Sequence, residues 1–343
     1  VSGNNWSTIN TNNIGASSEI IAKKTDGTLW SWGRGAYGEL GQNDIVNRSS
    51  PTQIGTDAKW ALTCGGPIVV GATKTDGTLW TWGWNGWGQL GHNNLVQLSS
   101  PTQLPGTTWP ISTTGADNVN MAMGYASHVI KQDGTLWSWG NNENGNLGFN
   151  NDNNGYSSPT QVGSDTTWKS VTDGMAKFTA ATKTDGTLWA WGTDGAGYLG
   201  QNGPVNRKLS SPTQIGTDTT WARVSQNNKD DFIGAIKTNG TLWMWAKGDR
   251  GLTAQNDLVW RSSPTQVGTD TNWKSVTIGD NHAIAVKTNG TLWGWGNNQS
   301  GELGLGSKAQ ENYSSPTQIS GTNWSSISAT ANSTSIATQP YNA

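Results

Sequence analysis

Side-chain catalysis needs a nucleophile beside a base, two carboxylates in a dry cleft, or a set of metal ligands. Few residues of this chain could meet those needs. The three histidines, His92, His128 and His282, are scattered. His128 and His282 each open an apolar strand pattern, where a buried structural role is expected. His92 follows Leu90-Gly91 where parallel segments carry Gln42 or Gln201, so a solvated loop position is expected. Asp26, Asp76, Asp133 and Asp185 could suggest a ring of carboxylates, but Asn239 and Asn289 fill the same motif position without charge, which points to turn formation. Asp230-Asp231 beside Lys229 reads as a solvated loop. The single cysteine, Cys64, rules out an intrachain disulfide and a cysteine-based metal site. Gly33-Arg34-Gly35-Ala36-Tyr37-Gly38 imitates a phosphate-binding glycine loop, yet no helix pattern follows it. The expectation is therefore no catalytic residue, no metal site, no cofactor and no enzyme.

What these residues share is a repeat. The string Asx-Gly-Thr-Leu-Trp starts at Asp26, Asp76, Asp133, Asp185, Asn239 and Asn289, and Ser-Ser-Pro-Thr-Gln keeps step at Ser49, Ser99, Ser157, Ser210, Ser262 and Ser314. A tryptophan opens each unit at Trp6, Trp60, Trp109, Trp168, Trp221, Trp273 and Trp324. A period of 50 to 57 residues means stacked supersecondary units. In the unit at Trp273, three strands read as Trp273 to Ile278, His282 to Thr288 and Thr291 to Gly296, with Pro-Thr-Gln-Ile/Val as the fourth. Asx-Gly between the second and third predicts a two-residue type I′ hairpin with positive φ at both positions. Alternation places Trp30 and Trp32 on one face, Leu29 and Ser31 on the other. Units of four strands with both faces apolar and no helical period point to an all-β propeller.

The units resemble RCC1-like repeats. Gly279-Asp280-Asn281-His282-Ala283-Ile284-Ala285 is similar to that family's Gly-x-x-His strand, residues 290–296 to its Gly-x-Leu-Trp-x-Trp-Gly strand, and residues 298–304 to its Asn-x-x-Gly-Gln-Leu-Gly turn. The resemblance runs the whole length and implies a seven-bladed β-propeller, a fold that hosts unrelated functions. Six units are complete. The segment from Trp324 to Thr338 repeats only two strands, and Val1-Ser-Gly-Asn-Asn-Trp6 matches Ile319-Ser-Gly-Thr-Asn-Trp324. We expect a single domain over 1–343 with a seventh blade assembled from both ends; a six-bladed ring with a C-terminal extension is the alternative.

Charged residues make up 13 % of the 343, about half the usual share. A net charge of −2 without a basic run argues against nucleic-acid binding. No apolar run approaches the ~20 residues of a membrane-spanning helix, and a start at Val1 without Met or a signal-like stretch predicts a processed or trimmed product. Of 22 tryptophans, all but Trp84, Trp87 and Trp260 belong to the repeat. The candidate binding residues are the departures from it: Tyr37, Trp84 and Trp87 as an aromatic patch, and Arg250 and Trp260 in the irregular fifth unit. The expected function is a non-enzymatic structural or protein-binding propeller displayed on a cell surface or virion, open to self-assembly. A lectin-like propeller binding a surface glycan and an RCC1-like exchange factor or regulator are the alternatives.

Overall fold

The computed structural model describes residues 6–14, 17–66, 68–112, 120–174, 177–203, 206–226, 232–306, 312–329 and 335–338. Six four-stranded antiparallel meanders follow one another. Blade 1 consists of Trp6–Ile14, Ser17–Lys24, Leu29–Gly33 and Arg48–Gln53, and blades 2 to 6 repeat this order. Ser326–Ala329 and Ser335–Thr338 pair as a two-stranded seventh sheet. The first strands of successive blades touch one another from blade 1 through the seventh sheet, so they are the innermost elements. The two-strand seventh blade is as expected at the C-terminal end; the part expected of Val1 lies in residues 1–5, outside the described residues.

The Asx-Gly-Thr-Leu-Trp string is a hydrogen-bond relay. In all six copies the Asx Oδ1 accepts from the Thr backbone N–H at 2.9–3.2 Å and from the Thr Oγ1 at 2.6–2.8 Å. That Oγ1 in turn accepts from the first indole N–H of the next strand at 2.7–2.9 Å. The leucine between them is buried in every blade. Because the Asx side chain folds forward onto its own strand, it stabilises a type I turn.

The turn is accordingly not type I′. Only the glycine has positive φ, for example +81° at Gly27 and +77° at Gly240, while the Asx before it does not. Gly27 N–H donates to the Lys24 carbonyl and Lys24 N–H to the Thr28 carbonyl, both at 3.0 Å. This is the three-residue loop, a type I turn closed by a left-handed glycine. Glycine is needed there a second time over, since a Cβ on Gly27 would stand 2.2 Å from the Ala58 carbonyl oxygen of the following connection.

Blades are locked to each other by the second indole of each third strand. Trp82, Trp139, Trp191, Trp245 and Trp295 are fully buried. Their N–H groups donate to the carbonyls of Glu39, Gln89, Asn146, Tyr198 and Leu252 in the preceding blade, at 2.6–3.1 Å. Beside each bond, the loop of one blade donates a backbone N–H to the first Ser-Ser-Pro serine of the next, from Asn43 to Ser99 at 2.7 Å through Asn256 to Ser314 at 2.7 Å. The small residue between the two tryptophans is buried, Ser31 bonding the Leu40 carbonyl at 2.7 Å.

Trp139→Phe should cost about 2–3 kcal/mol, because it shrinks a fully buried group and removes the shorter of the two hydrogen bonds to the Gln89 carbonyl, leaving that from Ser127 Oγ at 2.9 Å. Trp137→Phe, at a half-buried indole, should cost about 1 kcal/mol. Chemical denaturation of both variants distinguishes them; equal losses would count against an indole lock between blades.

Candidate functional site

In an antiparallel meander the loops after the first and third strands leave at one end of the sheet, and the Asx-Gly turns leave at the other. The loops after the third strand carry nearly all of the large exposed hydrophobic side chains among the described residues. Ile45, Val46, Leu95, Val96, Leu258, Val259 and Trp260 are each more than half exposed. Among the described residues the one other large exposed hydrophobic is Ile111. Six of these occupy equivalent positions in blades 1, 2 and 5, in the recurring string Asn-Asx-(Ile/Leu)-Val, and Trp260 follows it in blade 5.

The apolar pairs are held rigidly. Asp44, Asn94 and Asp257 each accept the N–H of the valine two residues on, at 3.0, 2.9 and 3.1 Å. The valine carbonyl is pinned from behind, by Arg48 at 2.9 Å, Asn85 at 3.0 Å and Arg261 at 2.8 Å. Arg48 also pairs with Asp44 at 2.6 Å and Arg261 with Asp257 at 2.7 Å. With its backbone fixed at both ends, each step presents two apolar side chains to solvent with little backbone freedom left to lose on binding. In blade 3, Asn151 makes the same turn at 3.2 Å, but Asp152-Asn153 stands where the apolar pair would be.

Of the residues singled out from sequence, Trp260 belongs to this set, adjoining Leu258-Val259 with 51 % of its surface exposed. Tyr37, Trp84 and Trp87 lie on the same loops but are half-buried, and no ring contact joins them among the described residues. Tyr37 lies under the Arg34 guanidinium at 5.2 Å. Trp84 packs edge-on to Tyr125 of blade 3 at 5.8 Å, and Trp87 sits beside Gly88, which abuts Ser157 of blade 3. Arg250 is exposed at φ +61° and donates to the Asn281 side chain of blade 6, tying two blades together. The apolar steps escaped sequence reasoning, although Asn-Asx-(Ile/Leu)-Val occurring three times at one repeat position was a usable signal.

The titratable groups fall into structural roles. His92 is half-buried, not a solvated loop residue: its Nε2 lies 3.0 Å from Thr81 Oγ1, replacing the bond that Gln42 makes to Ser31. His128 bridges Ser138 at 2.8 Å and Thr179 of blade 4 at 3.2 Å. Among the described residues, no three His, Cys, Asp or Glu converge as metal ligands; Asp230-Asp231 lies outside them. One position was overlooked. Glu19 and His282 are equivalent, each facing the residue that ends the Trp-x-Trp-Gly strand. Blades 4 and 5 place Phe178 and Phe232 there. Burial pushes the Glu19 carboxyl up to about 8, aided by the neighbouring Glu39, whose own carboxyl is also raised by burial. Burial pushes the His282 imidazole down to about 4.

Grooves of about 400 and 320 Å³ open between blades 1 and 2 and between blades 5 and 6. Trp60 and Trp80 line the first, with Lys74 over the Trp80 ring at 3.8 Å and paired with Asp57 at 2.7 Å. Every complete blade has the same lysine-on-indole stack, which marks it as architecture.

The chain matches the Regulator of chromosome condensation (RCC1) repeat over residues 26–67, 76–123, 133–175 and 289–336, and a second form of that repeat over 273–302. It is 27 % identical to the ultraviolet-B receptor UVR8 of Arabidopsis thaliana over 310 residues, covering 88 % of this chain and 68 % of the receptor. It is 28 % identical to the E3 ubiquitin-protein ligase HERC2 of Homo sapiens over 304 residues, 85 % of this chain but 6 % of the ligase. Yeast RCC1 (Prp20), solved bound to Kap60, has the same fold with a TM-score of 0.77 at 18 % identity, over 98 % of this chain and 81 % of that one.

The Glu19 carboxyl gives a pH signature. It stays protonated in the folded chain up to about 8, while unfolded it ionises near 4.5, so stability is lost as pH rises between those values. His282 acts in the opposite sense, removing stability as pH falls from 6.5 towards 4. Urea midpoints measured from pH 6.5 to 8.5, above the range in which His282 contributes, should fall for the parent chain and stay nearly level for Glu19→Gln. A midpoint that declines equally in both assigns the effect elsewhere.

Proposed function

Because the chain belongs to the RCC1 repeat family, we propose that it is a non-enzymatic, protein-binding propeller whose contact surface is the face carrying Ile45-Val46, Leu95-Val96 and Leu258-Val259-Trp260. The observation that carries this reading is the clustering, in one loop class, of seven of the eight large exposed hydrophobics among the described residues, on backbones fixed by Asx and Arg or Asn side chains. Exposed apolar groups held rigid on a polar surface suit a protein partner, since burying them releases water at small entropic cost. Yeast RCC1 solved with Kap60 is a relative that binds a protein. Display on a cell or particle surface is part of the proposal, supported by the low charge, and cell fractionation checks it.

The lectin alternative would use Trp84, Trp87 and Trp260 on one platform. Trp84 instead leans on Tyr125, and Trp260 belongs to blade 5, three blades further along the chain. That arrangement favours a protein over a sugar.

The test is a pair of exposed-loop variants, Val46→Asp with Val96→Asp, and Leu258→Asp with Trp260→Ser. Each should leave stability within about 0.5 kcal/mol of the parent, because the side chains make few contacts. A partner recovered with the parent chain from its native source should bind the variants about tenfold or more weakly by calorimetry. Undiminished binding by both variants would move the contact surface off this face.

A further inference from the structure

The apolar steps are arranged around the ring in a way that says what covers them. Because each is the same loop of its blade, Ile45-Val46, Leu95-Val96 and Leu258-Val259 leave the same end of their sheets and lie at one distance from the ring axis. First strands touch in chain order from blade 1 to the seventh sheet, and a seven-bladed ring turns by about 51° per blade. The midpoint of neighbouring blades 1 and 2 therefore lies about 26° round from blade 1, and blade 5 about 206° round, so the two stand about 180° apart. Among the described residues, the steps thus form two groups on opposite sides of the axis. One is a pair a blade apart; the other is a single step enlarged by Trp260. Blade 3 interrupts the series with Asp152-Asn153, and the matching segments of blades 4 and 6 include residues 204–205 and 307–311, outside the described residues.

Such a face complements its own copy. When a second chain is turned over onto the first about a two-fold axis perpendicular to the ring axis, one rotation sets the blade 5 step of each copy between the blade 1 and blade 2 steps of the other. Both contacts close at once, as a two-fold interface requires. The area is sufficient: the seven side chains are 51–62 % exposed and leave on the order of 800 Å² in water per copy, so two copies would bury roughly 1,600 Å², the size of a specific interface. The charges allow it as well. Asp44 pairs with Arg48, Asp257 with Arg261 and Asp152 with Lys208, at 2.6, 2.7 and 2.9 Å, so the charged side chains beside the steps are neutralised within each copy.

We propose that the occupant of this face is a second copy of the chain, docked face to face in a two-fold dimer, with Leu258-Val259-Trp260 of each copy seated between Ile45-Val46 and Leu95-Val96 of the other. The inference rests on the contact face assigned above and names what covers it. The pinned valine carbonyls and Asx-held turns leave the steps little to reorganise on docking.

Sedimentation equilibrium of the full chain from about 1 to 200 µM should show monomer and dimer in exchange, as an interface of this size implies. Leu258→Lys, and the double variant Val46→Asp with Val96→Asp, should keep the parent's melting temperature and dimerise about tenfold or more weakly, since each spoils both contacts of its own dimer. Mixed in equal amounts, the two variants should associate again. In the mixed dimer one contact is unaltered, and in the other the introduced lysine meets the introduced aspartates. A chain that stays monomeric over that range overturns the proposal; if the same variants still lose a foreign partner, the contact face itself stands. A dimer that both variants leave intact is built elsewhere on the molecule and overturns it too. Variants that weaken singly but ignore each other when mixed would overturn the seating of blade 5 between blades 1 and 2.

Discussion

One hydrogen bond, made five times, decides how this molecule is put together: an indole N–H buried between two sheets donates to a main-chain carbonyl of the blade before it. A carbonyl sealed between sheets must find a donor or cost about 1–3 kcal/mol. The indole meets that need from a rigid ring that also fills the space between sheets. The bond therefore fixes the spacing and the register of neighbouring blades together. Glycines recur in the accepting loop because the next blade's backbone and indole come within Cβ distance there.

The end of each blade that carries the Asx-Gly turns is organised by the companion relay from Asx to Thr to the first indole, with a lysine laid across that ring at 3.6–3.9 Å. Four of those lysines also pair with an aspartate from the connection into the blade, Asp57, Asp165, Asp218 or Asp270. Much of the chain's charge and nearly all of its tryptophan are consumed in this way. The residues left for recognition are those that the relay and the lock do not use, namely the loops after the third strands.

Much of this was legible in the sequence. Six coincident strings marked the six complete blades and their strand order, and the replacement of Asp by Asn at 239 and 289 argued against a carboxylate ring. The turn type was misread because Asx-Gly alone does not reveal that the Asx side chain bonds forward to Thr, which selects a type I turn with a left-handed glycine. His92 was misplaced because its contact with Thr81 spans the strand and its loop, and nothing local encodes it. The aromatic departures drew attention as rare residues, yet Trp84 spends its surface on Tyr125. The ordinary dipeptides Ile45-Val46 and Leu95-Val96 stay in water, and burial of that kind is a property of packing.

The central claim concerns the five interblade indoles, and their exchange with solvent reports on it most directly. Hydrogen exchange of tryptophan indole N–H groups, followed by NMR on the nitrogen-15 labelled chain, should find Trp82, Trp139, Trp191, Trp245 and Trp295 the slowest, with Trp32 and Trp260 fast. Five interblade indoles that exchange as quickly as Trp260 would contradict the account, since the blades would then be held by something other than this bond.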